Sequence, residues 1–389
     1  MEKHCQMRVE AEVSSPKLIA VDARCLNRVH VRGIGKVLTS IIEHSSDKVQ
    51  WLLFGDRPDL PFHAPKVPHL EVVLFDQKGY RLNAWEQWAL PLRVSRSGAD
   101  LLLCPANSAP LWQPCPTVAI LHDTIAWQNE KGILKSAFFK QHILPHAFKR
   151  AAAIVTISKS SKDDILERWP ELSPKLTTIP NGVDDIHLQQ FSDEMQHAPA
   201  IETTIRQPYV LYFGGGIARK RFEWALQVFL QTKSSGLRLV ACGIDETAAL
   251  KFAEQIPATH RERVVFPGYV TETKLRDLYQ HASGALYPTL YEGFGLPIIE
   301  AHAAGIPIVH GCGGSLAELA GPLSVVLDDF ARELWIDAVE AMIRAKPTDI
   351  MASKAREYAS EFCWSNAAEH YMRVFAAAIQ PERTLVAAG

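Results

Sequence analysis

Leu286-Tyr-Pro-Thr-Leu-Tyr-Glu292-Gly-Phe-Gly-Leu-Pro-Ile-Ile-Glu300-Ala-His-Ala-Ala-Gly305-Ile-Pro-Ile-Val309 reads as one strand–loop–helix–strand unit. A strand ends at Tyr287. A loop then carries Glu292, Gly293 and Gly295, a helix runs from near Pro297 to near Gly305, and a new strand follows. Pro297 suits a first helical turn, and Gly305 suits the left-handed residue that ends a helix. Phe294-Gly295-Leu296 therefore presents backbone N–H groups at a helix N-terminus, where an anion is favoured. Glu300 falls inside an otherwise apolar helix, where a carboxylate is costly without partners. Sugar hydroxyls are donors to carboxylates, so Glu292 and Glu300 on either side of an anion site suit a sugar–phosphate.

The same alternation extends in both directions. Leu18–Asp22, Trp51–Phe54, Leu70–Leu74, Leu101–Cys104, Thr117–Leu121 and Ala153–Ile157 read as strands. Several are apolar at consecutive positions, the pattern of strands covered on both faces of a parallel sheet. Helical segments such as Leu134–Arg150 and Lys159–Trp169 lie between some of them. Asp184–Gln207 breaks the pattern: it is polar, has no apolar period, and reads as a linker. A second series follows, at Tyr209–Phe213, Leu237–Ala241, Val264–Phe266, Gly284–Tyr287 and Ile306–Val309, and the chain from Trp335 to Ile379 is mostly helical in pattern. The expected fold is α/β, with two doubly wound Rossmann-like domains over residues 1–195 and 196–365.

Composition agrees with a soluble globular chain. Of 389 residues, 47% are hydrophobic and 22% charged, which excludes disordered and collagen-like classes. The net charge is −2, so nothing overall favours nucleic acid. Residues 1–190 hold 23 Lys and Arg against 20 Asp and Glu, and the remainder holds 18 against 23, a mildly basic first half. Seven scattered cysteines with no C-x-x-C pair argue against a disulfide framework or a thiolate zinc site. No signal-peptide-like run follows Met1, and no apolar stretch is long enough to span a bilayer. The expectation is a cytoplasmic protein.

Two glycine-rich turns follow strands. Arg32-Gly33-Ile34-Gly35-Lys36 precedes a helical segment from Val37 to Glu43, and Gly214-Gly215-Gly216-Ile217-Ala218-Arg219-Lys220 follows Phe213 directly. Neither fits a dinucleotide loop, since Leu38 and Arg219 stand where the third glycine belongs. Neither fits a P-loop, since Val37 follows Lys36. What remains is general: glycines let amides approach an oxyanion, and a helix N-terminus adds positive charge. Arg219 and Lys220 at a helix start conflict with the helix dipole unless an anion sits there.

At these residues the sequence resembles the family 4 retaining glycosyltransferases of GT-B fold. Glu292 to Glu300 looks like that family's Glu-x7-Glu motif. Gly33 and Gly35 resemble its N-terminal glycine loop, Leu121-His122-Asp123 its His-Asp motif, Ile157-Ser158 its next strand end, and Ile179-Pro-Asn181-Gly-Val-Asp184 the turn before its linker. Arg219-Lys220 resembles its basic pair, and Phe362-Cys-Trp364 its C-terminal stretch. His302 and Ala304 depart from the usual residues, and the turn from Gly311 to Pro322 is atypical.

The resemblance implies two domains facing across a cleft, with a C-terminal helix over about 366–389 returning to the first domain. It implies transfer of a hexose from a nucleotide-diphosphate sugar, of UDP-glucose or GDP-mannose type, to a hydroxyl of a glycan or lipid-linked acceptor, with the anomeric configuration kept. Arg219 and Lys220 would meet the leaving diphosphate, with amides of Gly33, Gly35, Gly215, Phe294, Gly295 and Leu296. Glu300 would hold the ribose, Glu292 the donor sugar, and His122 a sugar hydroxyl from the other domain. His122, Lys220 and Glu292 are the expected catalytic residues. No Asp-x-Asp is present to hold a metal, and no cofactor is expected beyond the co-substrate. Basic and aromatic residues at Lys78–Arg96 and Lys131–Arg150 suit either a core with a solvated basic face or contact with an anionic membrane surface at its inner face. Two other readings share the fold: a sugar-nucleotide epimerase and a non-catalytic sugar-nucleotide binder.

Overall fold

The computed structural model describes residues 17–31, 33–45, 47, 49–76, 84–128, 139–184, 208–234 and 236–380. The expected linker beyond Asp184, the basic and aromatic residues Lys78, Tyr80, Arg81, Lys131, Lys135 and Phe138, and residues 381–389 lie outside them.

The first domain is a seven-stranded parallel sheet. Its strands are β1 (Lys17–Asp22), β2 (Val49–Gly55), β3 (Leu70–Leu74), β4 (Leu101–Cys104), β5 (Thr117–Leu121), β6 (Ala153–Thr156) and β7 (Leu176–Thr178), in the order β3-β2-β1-β4-β5-β6-β7. The second has six parallel strands: β8 (Tyr209–Phe213), β9 (Arg238–Cys242), β10 (Val264–Gly268), β11 (Gly284–Tyr287), β12 (Ile308–Gly311) and β13 (Ser324–Leu327), in the order β10-β9-β8-β11-β12-β13. Both orders reverse beside the first strand of their domain, which opens a crevice at the carboxyl ends of the strands. The uninterrupted apolar runs have their cause here: β4, β5, β8 and β11 are buried at every position because helices cover both faces.

The helices that matter for the site are α1 (Gly33–Glu43), α2 (Leu90–Ser97), α3 (Leu144–Arg150), α4 (Lys159–Arg168), α5 (Phe222–Leu230), α6 (Glu246–Glu254), α7 (Glu272–His281) and α8 (Leu296–Ala304). Three more close the chain: α9 (Arg332–Arg344), α10 (Asp349–Ser360) and α11 (Trp364–Ile379). The helical pattern expected from Leu134 is a wide π-type turn at Phe139–Ile143 leading into α3, with 134–138 outside the described residues. A second π-type turn, Trp85–Ala89, leads into α2. Sequence periodicity missed β7 and β13, because β7 has three residues with two threonines and β13 is a half-exposed edge.

Helix α11 crosses back and packs on α1, β4 and β5. Phe375 meets Trp51 edge-on at 6.4 Å. The return lies beside the outward crossing: Val183 N donates to Phe362 O at 2.8 Å, and Val183 bridges Cys363. Gly182 permits this, since a Cβ there would lie 2.6 Å from the Cys363 carbonyl carbon.

Candidate active site

The loop between β11 and α8 is shaped by its glycines and proline. Gly295 caps α8 at φ 125°, a conformation strained for any side chain, Pro297 occupies the first turn, and Gly305 ends the helix at φ 72°. Phe294 is buried and Leu296 is half-buried, so the amides of 294–296 lead into the helix N-terminus.

Glu292 lies between two cations. Its Oε1 is 2.9 Å from Arg219 Nη1 and 3.6 Å from Lys220 Nζ, and it accepts from Thr289 Oγ1 at 2.9 Å. Burial alone would raise its carboxyl pKa, but Lys220 and Arg219 outweigh burial and hold it below the usual range. The two cations sit on a tight turn, Ala218–Lys220, before α5. The Arg219 guanidinium also bonds the Tyr291 carbonyl, and Tyr212 Oη donates to Lys220 O at 3.0 Å. Gly214 leaves room for the lysine: a Cβ there would meet Lys220 Cδ at 2.5 Å. Gly215, at φ 63°, packs against the Gly243 carbonyl. The backbone of Glu292 is held from behind, where Ser315 N and Oγ both donate to its carbonyl at 3.1 Å.

Glu300 is buried on α8 and its carboxylate is engaged on both oxygens. Tyr279 Oη donates to Oε2 at 2.8 Å, and Lys36 Nζ from the first domain lies 3.5 Å from Oε1. The cost of placing a carboxylate in an apolar helix is thus met by two partners.

The first domain closes over this loop. His122 follows β5, and a Cβ on Gly293 would lie 2.5 Å from its carbonyl oxygen. Ser161 Oγ, in the first turn of α4, donates to His122 O at 3.0 Å and to Gly293 O at 3.2 Å, tying the domains together. His122 Nε2 donates to Pro105 O at 2.7 Å, which leaves Nδ1 as the ring's acceptor. Burial pulls its pKa down to about 4, so the ring is neutral near pH 7 and serves as a hydrogen-bonding group rather than a cation.

The glycines before α1 differ from the loop the sequence suggests. The helix starts at Gly33, so both lie in its first turn. Gly33 is exposed, whereas Gly35 is buried and a Cβ there would meet the Cys25 carbonyl at 3.0 Å. Gly35 therefore has a packing reason of its own. A cavity of about 610 Å³ runs between α1 and the second domain, lined by Val31, Gly33, Lys36, Thr39, Asp184 and Glu272 among others.

The structure thus brings Arg219, Lys220 and Glu292 into one cluster beside His122, and sets Glu300 apart with Lys36. Residues 31–186 match the family described as Glycosyltransferase Family 4, and residues 207–345 the family described as Glycosyl transferases group 1. Each domain thus matches a glycosyltransferase family model, and the pair has the two-domain fold of solved GT-B glycosyltransferases. Among solved structures, WaaG, a glycosyltransferase involved in lipopolysaccharide biosynthesis, shares the fold at a TM-score of 0.73 and 16% identity, over 92% of this chain and 99% of that one. Anabaena HepE in complex with UDP and glucose does so at 0.68 and 16%, over 93% and 99%. O-antigen chain mannosyltransferase B of Escherichia coli is 26% identical over 243 residues, 59% of this chain. The match spans 61% of that relative's length, less than two thirds of it.

Several residues of the two domains make contacts to which the sequence reading assigned no role. Asp123 feels both Arg219 and Glu292; its pKa is raised by burial and by Glu292, against the pull of Arg219. Tyr279, Thr289 and Ser315 hold the two glutamates. Lys36 had a readable signal, the one used for Arg219 and Lys220: a cation in the first turn of a helix opposes the dipole.

Proposed function

We propose that the protein is a retaining glycosyltransferase that moves a hexose from a nucleotide-diphosphate sugar to a hydroxyl of a glycan or lipid-linked oligosaccharide, in polysaccharide biosynthesis. The carrying observation is the cluster itself: two carboxylates eight residues apart, Glu300 buried and Glu292 half-buried, flank a helix N-terminus, and Glu292 is paired with Arg219 and Lys220 across from His122. The sugar–phosphate reading of the segment, the UDP and glucose bound to HepE, and the O-antigen name of the mannosyltransferase relative support it.

In this reading the diphosphate leaves against Arg219, Lys220 and the amides of 294–296, which stabilise the charge as it develops. Arg219 and Lys220 are shared between Glu292 and the phosphate. The acceptor hydroxyl approaches from the face the diphosphate leaves and forms the new C1–O bond. The C1–O bond to the diphosphate breaks, and a phosphate oxygen takes the acceptor proton. His122 Nδ1 accepts from a sugar hydroxyl, and Glu300 from the ribose. Product analysis separates this reading from the others: a new glycoside supports it, whereas an isomerised sugar nucleotide indicates an epimerase and no product a binder.

Gly293→Ala tests the closed cleft. Its Cβ would press on His122 O and lie 3.0 Å from Asp123 Cβ, so the domains could not meet as they do. Misplacement of about 1 Å can cost about 10²-fold, so we expect kcat to fall by that order while nucleoside diphosphate affinity holds. Wild-type kcat in this variant would mean the reacting state is more open.

The co-substrate is the one small molecule this mechanism calls for. Among the described residues no three His, Cys, Asp or Glu side chains are grouped to hold a metal. Because the proposed charge stabilisation rests on Arg219, Lys220 and backbone amides, we expect activity to survive dialysis against EDTA; complete loss, restored by Mg²⁺ or Mn²⁺, would sink the metal-free route.

Peripheral membrane contact fits one face of the first domain. No helix among the described residues is long and apolar enough to cross a membrane. Trp88 (74% exposed), Leu92 and Trp112 are nonetheless open to solvent. Trp88 and Leu92 are four apart along one helical run, and Gln87 bonds Ala109 O and Leu111 N, which sets Trp112 beside them. Exposed Arg96 lies four residues beyond Leu92 on α2, adding a cation to the rings in the manner that suits anionic headgroups. Trp88→Ser with Trp112→Ser should abolish sedimentation with phosphatidylglycerol vesicles and leave transfer to a soluble acceptor intact. Unchanged sedimentation would refute this contact.

A further inference from the structure

Lys36 lies where three parts of the chain meet. Its Nζ is 3.1 Å from Asp184 Oδ2, 3.1 Å from Glu272 Oε2 and 3.5 Å from Glu300 Oε1. Asp184 stands where the chain leaves the first domain, and its Oδ1 accepts from Trp364 Nε1 at 3.1 Å. Trp364 is the first residue of the returning α11 and is fully buried. Asp184 is thus fixed at the point where both crossings run side by side. Glu272 opens α7 and Glu300 sits in α8, both in the second domain. One ammonium group therefore links α1, the crossing point and the second domain.

The charge arithmetic makes this ammonium matter. Three carboxylates face one cation, and the Lys36 and Glu300 side chains are only 20% and 6% exposed, so screening is weak. Burial would lower the Lys36 pKa, but Glu300, Asp184 and Glu272 outweigh burial and raise it, so the ammonium stays charged. Without it, the Asp184 and Glu300 carboxylates would lose the cation that lies between them. Among the described residues, other contacts across the cleft include Ser161 with Gly293, Tyr291 with Asp164, His30 stacked on Tyr269 at 5.0 Å, and Glu318 accepting from Lys159 N and Ser160 N at the start of α4. Relative motion is the default expectation for two domains of one chain.

We propose that Lys36 is a positioning residue that holds the cleft closed on the bound nucleotide by neutralising Asp184, Glu272 and Glu300 together. The coupling to the nucleotide rests on the reading of Glu300 as the carboxylate that grips the ribose. Tyr279 of the same domain occupies Oε2, so an incoming hydroxyl shares Oε1 with Lys36. One carboxylate oxygen thereby meets both the nucleotide and the opposite domain, and binding and closure are linked.

The test compares wild type, Lys36→Met and Lys36→Arg by small-angle X-ray scattering in buffer, with UDP and with GDP, and by steady-state kinetics. Lys36→Met should be more expanded than the other two in at least one of these conditions. Its kcat should fall about 10-fold or more, the scale of one charged contact. Lys36→Arg should restore both compactness and kcat. Superimposable scattering of all three proteins under every condition would overturn the proposal, as would a kcat loss that Lys36→Arg fails to rescue. Scattering needs no turnover, so expansion of Lys36→Met in a protein that transfers no sugar would uphold closure by Lys36 while removing the activity.

Discussion

Lys220→Ala should turn over about 10²–10³ times more slowly than wild type, the usual consequence of removing one preorganised charge from a developing oxyanion. The lysine is built for one place. Gly214 makes room for its side chain, Tyr212 holds its carbonyl, and its ammonium lies 3.6 Å from Glu292 and 6.0 Å from the Tyr287 ring. Its removal leaves Glu292 paired with Arg219 at 2.9 Å, so the carboxylate is not stranded and folding should be little affected. The effect should fall on kcat more than on KM, because the charge that Lys220 meets grows as the diphosphate departs. Near-normal turnover in a folded Lys220→Ala protein would place the phosphate site elsewhere.

Glu300→Gln and Glu292→Gln should separate sharply, although both remove a carboxylate near one phosphate site. On the proposed reading Glu300 grips the ribose, which donor and product share. Its loss should weaken nucleoside diphosphate and sugar nucleotide alike, by about 10- to 100-fold at roughly 1.5–3 kcal/mol for a charged hydrogen bond. Glu292 pairs with Arg219 and Lys220, and on the proposed reading it faces the transferred sugar. Glu292→Gln should leave nucleoside diphosphate binding unchanged or tighter, since both cations are released to the phosphate, and should lower kcat. Calorimetric titration with UDP and GDP reads the difference. Equal losses of affinity in the two variants would show that the roles are misassigned.

The fold was legible because its strands are buried on both faces. Leu101–Cys104, Thr117–Leu121, Tyr209–Phe213 and Gly284–Tyr287 coincide with observed strands, since nearly continuous apolar runs favour strands at that length. The edges were harder. In β13 the two valines are exposed, so no alternation or full burial marks it. Around the site, the sequence pointed to Glu292, Glu300, Arg219, Lys220 and His122 through local motifs, and the structure supplies their partners. Thr289, Tyr279 and Ser315 carry no motif; they matter because the topology brings them against the two glutamates. The pairing of Glu292 with both cations was equally unreadable, because it joins the β8–α5 turn to the β11–α8 loop across more than 70 residues. Lys36 is the sharpest case. Its nearest partners are at positions 184, 272 and 300, and no local pattern encodes that meeting.

Proton NMR of the reaction mixture tests the central claim most directly. The protein would be incubated with UDP-glucose and with GDP-mannose, both α-linked donors, together with octyl glycoside acceptors. The new anomeric signal would be followed as nucleoside diphosphate accumulates. The account predicts an α-linked glycoside formed in step with free nucleoside diphosphate. A β-linked product would contradict the front-side route past Lys220 and Glu292, and an isomerised sugar nucleotide with no glycoside would contradict glycosyl transfer itself.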